Sequence, residues 1–476
     1  MSAFLAGLRF EAVMLRREAA VWMALTALVA AALFALWNGA ARVETQRNLV
    51  ASARADEAQR IEGLRRTLAE LEKGESHGEP PPYRNPRNAA FMGGGPAATV
   101  AALSPAPLAL VAVGQSDLFP PAIRVTTGSK DNFLFADEID NPANLMSGAT
   151  DLAFVIVIIY PLVILALTFN LLAGEREAGS LAMTLASARR PGAALGGKLA
   201  ARVLAPIVAI LLATVAGAGF FAGREALAAA GFAQLVAVIF VYGLFWAALA
   251  AAVDGLGKSS AFNALTVIGA WVALTMLTPA AINSLAGYAH PAPSRVDMVL
   301  AARAATTDAD RERDAALARY MDEHGADAGM KRGAAQERTL RRLATQEAAF
   351  QRVEGVIAEH DAQLERQRAL ADRLAFLSPP LLAWRAMTDI AGTGEARYRD
   401  FLARIHAFHL DWRDFFLSRA RAGAPLTAQD YAALPRFPQA TQTGGADIAA
   451  PLLGLALPAL VLAAFAWRGF RRCAPR

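Results

Sequence analysis

The sequence predicts an all-α polytopic membrane protein with six transmembrane helices and two mainly α-helical extracytoplasmic domains, inserted after helices 1 and 5. Three observations carry this. Of 476 residues, 55% are hydrophobic and the mean hydropathy is +0.32, more apolar than a soluble core requires. The charged residues, 19% of the chain, gather in two blocks, 39–150 and 285–446. Between and around these blocks lie six runs nearly free of charge. At about 1.5 Å per residue, each is long enough for a hydrocarbon core of roughly 30 Å.

Residues 1–20, with Arg9, Arg16 and Arg17 in the amphipathic stretch FLAGLRFEAVMLRREA, predict a cytoplasmic helix along the membrane surface. The first span is 21–38, with Trp22 and Trp37 placed as interfacial anchors. A cleaved signal peptide is the alternative, because basic residues, an apolar run and small residues at 39–41 fit it too. The uncleaved span is preferred: its apolar run is long for a signal, and the topology closes with it. Extracytoplasmic domain 1 (39–150) opens on Val50, Ala53, Ile61, Leu64, Leu68 and Leu71 at helical spacing. The Pro- and Gly-rich passage EPPPYRNPRNAAFMGGGP then breaks that helix.

Span two is 151–172, where Pro161 predicts a kink near Tyr160. A cytoplasmic segment, 173–202, leads to span three (203–222), followed by span four (232–253) and span five (260–283). Extracytoplasmic domain 2 (284–446) carries the stripe Leu340, Leu343, Phe350, Val353, Ile357, Leu364 and Leu374 behind a charged helical pattern. This reads as a helical hairpin over 296–377, its longer arm on the order of 60 Å. A stripe packed on a compact domain is the equal alternative. Span six is 447–468, ending near Trp467, and 469–476 form a cytoplasmic tail.

Short-loop charge sets the orientation. Arg176, Arg189, Arg190, Lys198 and Arg202 follow span two, and Arg468, Arg471, Arg472 and Arg476 follow span six. Both segments read as cytoplasmic, so the expected location is a bacterial inner membrane with both termini inside. The net charge of +5 does not point to nucleic acid, because the basic clusters border apolar runs rather than one domain face. Cys473 is the only cysteine, which excludes an intramolecular disulfide and a cysteine metal site.

Catalytic patterns are weak. The stretch AVDGLGKS (252–259) is a relaxed phosphate-loop pattern, but it lies between two spans and lacks the preceding buried strand. It reads as a tight inter-span turn. His406 and His409, with Asp411 nearby, sit at i and i+3, and a packed or solvated pair is preferred to a metal site. No cofactor, metal or enzyme site is expected. Asn170, Asn263, Thr266 and Asn283 are the polar residues within or beside spans that face an interior path or bond between helices.

The most informative segment is Glu175, Arg176, Glu177, Ala178, Gly179, Ser180 and Leu181, directly after span two. Acids here run against the local basic bias. One reading is a helix start that puts Glu175 and Glu177 in a first turn favoured by the dipole. The second is a docking surface for a basic partner.

This segment resembles the ABC type-2 permeases, whose second span is followed by an acidic, Gly-containing turn ending in Thr-Leu or Ser-Leu. The chain looks like the subgroup with large extracytoplasmic insertions, a domain of unknown function related to permeases of copper-enzyme maturation systems. The stretches that carry the likeness are AVGQSDLFP (112–120), EIDNPANL (138–145), Lys198 with Arg202, PAPSR (291–295), LSPPLL (377–382) and MTDIAGTG (387–394). The chain departs from the wider family in the size of its outer domains. The resemblance implies a permease subunit without its own nucleotide chemistry, paired with a second, similar permease and a cytoplasmic ATPase dimer. Glu175 to Leu181 would then be the ATPase-coupling region. The alternative is a mechanotransmission subunit, whose outer helices act on a periplasmic or outer-membrane partner while nothing crosses the membrane through it. A sensor or membrane enzyme has no supporting site.

Overall fold

The computed structural model describes residues 3–74, 80–114, 116–117, 119–128, 150–183, 190–291, 295–323, 334–438 and 446–473. Residues 138–145 and 292–294, along with Gln115, Leu118, His77, His324, Arg189 and Arg476, lie outside this set.

The chain is an all-α membrane protein, with six helices long and apolar enough to span a bilayer. Helix α1 (Ala3–Arg17) turns at Glu18, where the backbone is extended, into α2 (Ala19–Lys73). At 55 residues, α2 is about 82 Å long, and its apolar first third and charged remainder form one helix. It stops at Gly74, whose φ of 73° provides the left-handed cap.

The short helix α3 (Ala89–Met92) leads to β1 (Thr99–Ala102) and β2 (Ala122–Val125), an antiparallel pair with Val100 opposite Arg124. The open edge of β1 is closed by α2. Glu57 accepts from the Val100 N–H and the Thr99 hydroxyl, and Arg60 donates to the Ala98 carbonyl.

Next come α4 (Leu152–Glu177), α5 (Pro191–Phe221), α6 (Gly223–Ala228), α7 (Ala230–Asp254) and α8 (Ser260–Ala289). Asp151 starts α4 by accepting from the N–H of Phe154 at 2.7 Å. Two spans contain a wide i to i+5 turn just before a proline: Val155–Ile159 before Pro161, and Ala273–Leu277 before Pro279. Proline lacks an N–H and crowds the carbonyl four residues back. For Pro161 that carbonyl is Val157, which accepts instead from the Tyr242 hydroxyl of α7 at 2.9 Å. In the second wide turn, the Leu274 carbonyl accepts from Ser378 at 2.8 Å. Tyr242→Phe is expected to cost about 1–2 kcal/mol, the loss of one buried hydrogen bond. Thermal unfolding in detergent measures this, and an unchanged midpoint would show that the carbonyl is satisfied some other way.

The second polar block forms α9 (Arg295–Arg311), α10 (Arg313–Glu323) and α11 (Ala334–Leu374). The first two lie antiparallel on the third: Ala302 packs with Val353 and Ile357, while Tyr320 clusters with Leu340 and Leu343. Helices α12 (Pro379–Ala391), α13 (Glu395–Ala422) and α14 (Ala428–Ala432) precede the last span, α15 (Ala449–Cys473).

Two main cores result. One fills the bundle and takes in Leu108 and Val111 from the first insertion and Leu382 and Met387 from α12. The other is a head in which both insertions share a single cluster, built from Leu68, Met92, Ile123, Leu343, Trp412 and Phe416.

Candidate functional site

At the end of the bundle away from the head, five segments meet in a buried polar junction. Its centre is Asp254, the last residue of α7, which is 1% exposed. After Thr168 the fourth helix breaks at Asn170 and restarts at Leu171. The restart leaves orphan N–H groups, as every helix start does. Asp254 supplies the cap from another helix, accepting from Leu172 N at 2.6 Å and Ala173 N at 3.1 Å. The Asn263 amide of α8 donates to Asp254 at 2.8 Å and to the Phe169 carbonyl at 3.1 Å. An anionic acceptor at a helix N-terminus is favoured by both hydrogen bonding and the dipole.

Charged pairs tie the remaining segments to this centre. Arg202 of α5 donates to Glu11 of α1 at 2.5 Å, and to the Leu167 carbonyl and Asn170 at 3.1 Å each. Lys198, 6% exposed, pairs with Glu175. Glycines let α1 and α5 approach this closely. A Cβ on Gly7 would fall on the Ala194 carbonyl, and one on Gly197 on the Phe4 carbonyl.

The turn after α4 is held by its own backbone. Gly179 has φ 71°, Ser180 N donates to the Glu175 carbonyl at 3.0 Å, and Gly179 N donates to Arg176 O at 3.1 Å, a Schellman closure. Glu175 and Glu177 therefore occupy a last turn, which corrects the first-turn reading, because the helix starts at Leu171. The dipole disfavours acids there, and each has compensation. Glu175 has Lys198, and Glu177 accepts from Ser260 N and Oγ at 2.8 Å each, so it caps the start of α8. Leu181 is buried with Leu172, Leu195 and Phe470. Arg176, Glu177 and Gly179 remain exposed.

The polar span residues separate into two groups. Asn170 and Asn263 enter the junction. Thr266 bonds back to the Phe262 carbonyl of its own helix at 2.8 Å, and Asn283 is exposed near the far end of α8. Sequence reasoning missed Asp254, Glu11 and the capping role of Ser260. A lone acid closing an apolar run was the available signal for Asp254.

Residues 252–259 form the end of α7 and a turn, with Ser259 capping α8 by accepting from Phe262 N at 3.3 Å. His409 is buried in the head, its ring Nε2 2.7 Å from the Gly128 carbonyl. Among the described residues no group of three His, Cys, Asp or Glu could hold a metal ion. Its bonds join the exposed turn to α5 through Lys198 and to α8 through Ser260, and join the restart of α4 to α7 and α8 through Asp254 and Asn263.

Fold and junction together define a polytopic α-helical membrane protein with a large polar head. Residues 295–439, from the start of α9 to just beyond α14, match a family model described as a domain of unknown function (DUF3526). No curated protein and no solved structure matches the chain.

Proposed function

We propose that this chain is the permease subunit of an ATP-driven ABC exporter in a bacterial inner membrane, with both termini cytoplasmic and ATP hydrolysis left to a partner. The observation that carries this reading is the junction at Asp254, which couples one exposed turn to four other helical segments. A cytoplasmic ATPase dimer would press on Arg176 to Gly179, and a second, similar permease would cover the span faces that this chain leaves exposed. Closure of the ATPases would tilt α5, α7 and α8 and open a path on the other side.

The test is copurification with the partner ATPase after coexpression. Glu177→Lys reverses the exposed charge and is expected to reduce recovered ATPase at least tenfold, about 1.4 kcal/mol of binding. Glu177→Gln keeps an acceptor for Ser260 and is expected to retain association. Undiminished recovery with Glu177→Lys would overturn the docking assignment.

One observation favours mechanotransmission as a second reading. The helix α2 enters the head unbroken, and α11 runs 41 residues from the head to the bundle. Two stiff rods would carry a stroke on the order of 50 Å outward. Structures with and without nucleotide separate the readings: an opened inter-span path supports export, and a displaced head over a closed bundle supports mechanotransmission.

A further inference from the structure

We propose that the cleft between α9 to α11 and the strand-end strap after β2 binds a water-soluble, phosphate-bearing small molecule. The cleft is open to solvent, has a volume of about 680 Å³ and is lined by Arg313, Arg338, Arg341 and Arg342 against one carboxylate, Asp310, with Thr126 and Thr345 beside them. This volume falls in the range of small-molecule sites, roughly 300–1,000 Å³. Two of the arginines are partly balanced by exposed pairs, Arg313 with Asp310 at 3.3 Å and Arg341 with Asp314 at 2.7 Å and Glu337 at 3.1 Å. Such pairs are weak and readily exchanged. Arg338 and Arg342 have no carboxylate partner among the described residues.

The guanidinium of Arg342 lies 3.8 Å from the Phe91 ring centre. Stacking fixes its plane and leaves its N–H fork for an oxyanion, the geometry that phosphate matches best. The strap is already prepared for an anion. The Thr127 carbonyl, which would repel one, is occupied by Arg413 and Gln346 at 2.6 Å each, and the Gly128 carbonyl by His409. Thr126 Oγ accepts from Gly128 N at 3.2 Å, so its own proton is left to donate.

Position selects the source of the phosphate. Ala375, at the foot of α11, packs in the bundle core, and Arg342 lies about 33 residues up that helix, about 50 Å away. That separation along the helix favours a soluble phosphate over a headgroup of the bilayer around the spans.

Calorimetric titration of pyrophosphate into the full chain in detergent at low salt tests this. A single site that weakens with added salt is expected. Arg338→Gln with Arg342→Gln should weaken it about a hundredfold, about tenfold per arginine. Arg66→Gln, an exposed arginine on α2 paired with Glu62, should leave it unchanged. Arg338→Gln alone, at an exposed position, serves if the double variant fails to fold. Absent binding, or equal affinity in the arginine variants, overturns the site. Citrate binding as tightly as pyrophosphate would overturn the phosphate assignment, and competition by phosphatidylglycerol vesicles would overturn the soluble source.

Discussion

Asp254→Ala is expected to lower the stability of the bundle by about 3 kcal/mol or more, the largest single effect in the membrane domain. The carboxylate is 1% exposed and satisfies three donors: two N–H groups at the restart of α4 and the amide of Asn263. Alanine leaves the two backbone N–H groups buried without this acceptor and the Asn263 amide with only the Phe169 carbonyl, and each orphan donor costs about 1–3 kcal/mol. Asp254→Asn should recover only part of the loss, because its one carbonyl oxygen can accept from one of the two backbone donors while its amide N–H faces the other. The measurement is the thermal midpoint in detergent by size-exclusion chromatography. A drop equivalent to less than about 1 kcal/mol would mean that Asp254 is not the keystone of the junction. A double-mutant cycle with Asn263→Ala sharpens the result: residues in one network are non-additive by about 0.5–3 kcal/mol.

The same residue shows where sequence stopped being informative. Span positions were legible because lipid as a solvent demands long apolar runs, and the six helices of the structure fall on them. Proline position was legible as well, since the wide turn before Pro161 answers a local steric rule. The cap at Leu171 was not legible, because its acceptor comes from Asp254, about eighty residues on. With no visible start signal, the acids at 175 and 177 read as a first turn. Hydropathy was silent on the continuity of α2. The loss of apolar residues after Trp37 marks the edge of a solvent, not the end of a helix, and residues 39–73 hold only two isolated glycines before Gly74 ends it. The shared head core joins residues such as Leu68 and Trp412 across more than three hundred positions, where no periodicity carries information.

The head has its own keystone, and Arg413→Ala is expected to cost it about 3–5 kcal/mol. Arg413 is 4% exposed on α13 and reaches both insertions at once. It donates to the Thr127 carbonyl at 2.6 Å and to Glu347 of α11 at 2.5 Å, and its guanidinium sits 4.1 Å from the Phe350 ring centre. Burial pushes the guanidinium below its ordinary range, and the Glu347 charge opposes that shift. Removing the arginine strands Glu347 as a partly buried charge and strips the packing from the Phe350 face, while the Thr127 carbonyl keeps Gln346 as its donor. Glu347→Ala alone strands the arginine instead and should cost a comparable amount. Replacing the pair together by Met and Leu removes both charges and should recover most of the loss, because a buried ion pair is often no better than well-packed apolar residues. Limited proteolysis of the full chain reports the outcome. In the Arg413→Ala protein the insertions should be cleaved at least tenfold faster, while the α4 to α8 bundle stays protected. Equal protection of the head in wild type and Arg413→Ala would show that the apolar cluster around Trp412 and Phe416 holds the two insertions together without this pair.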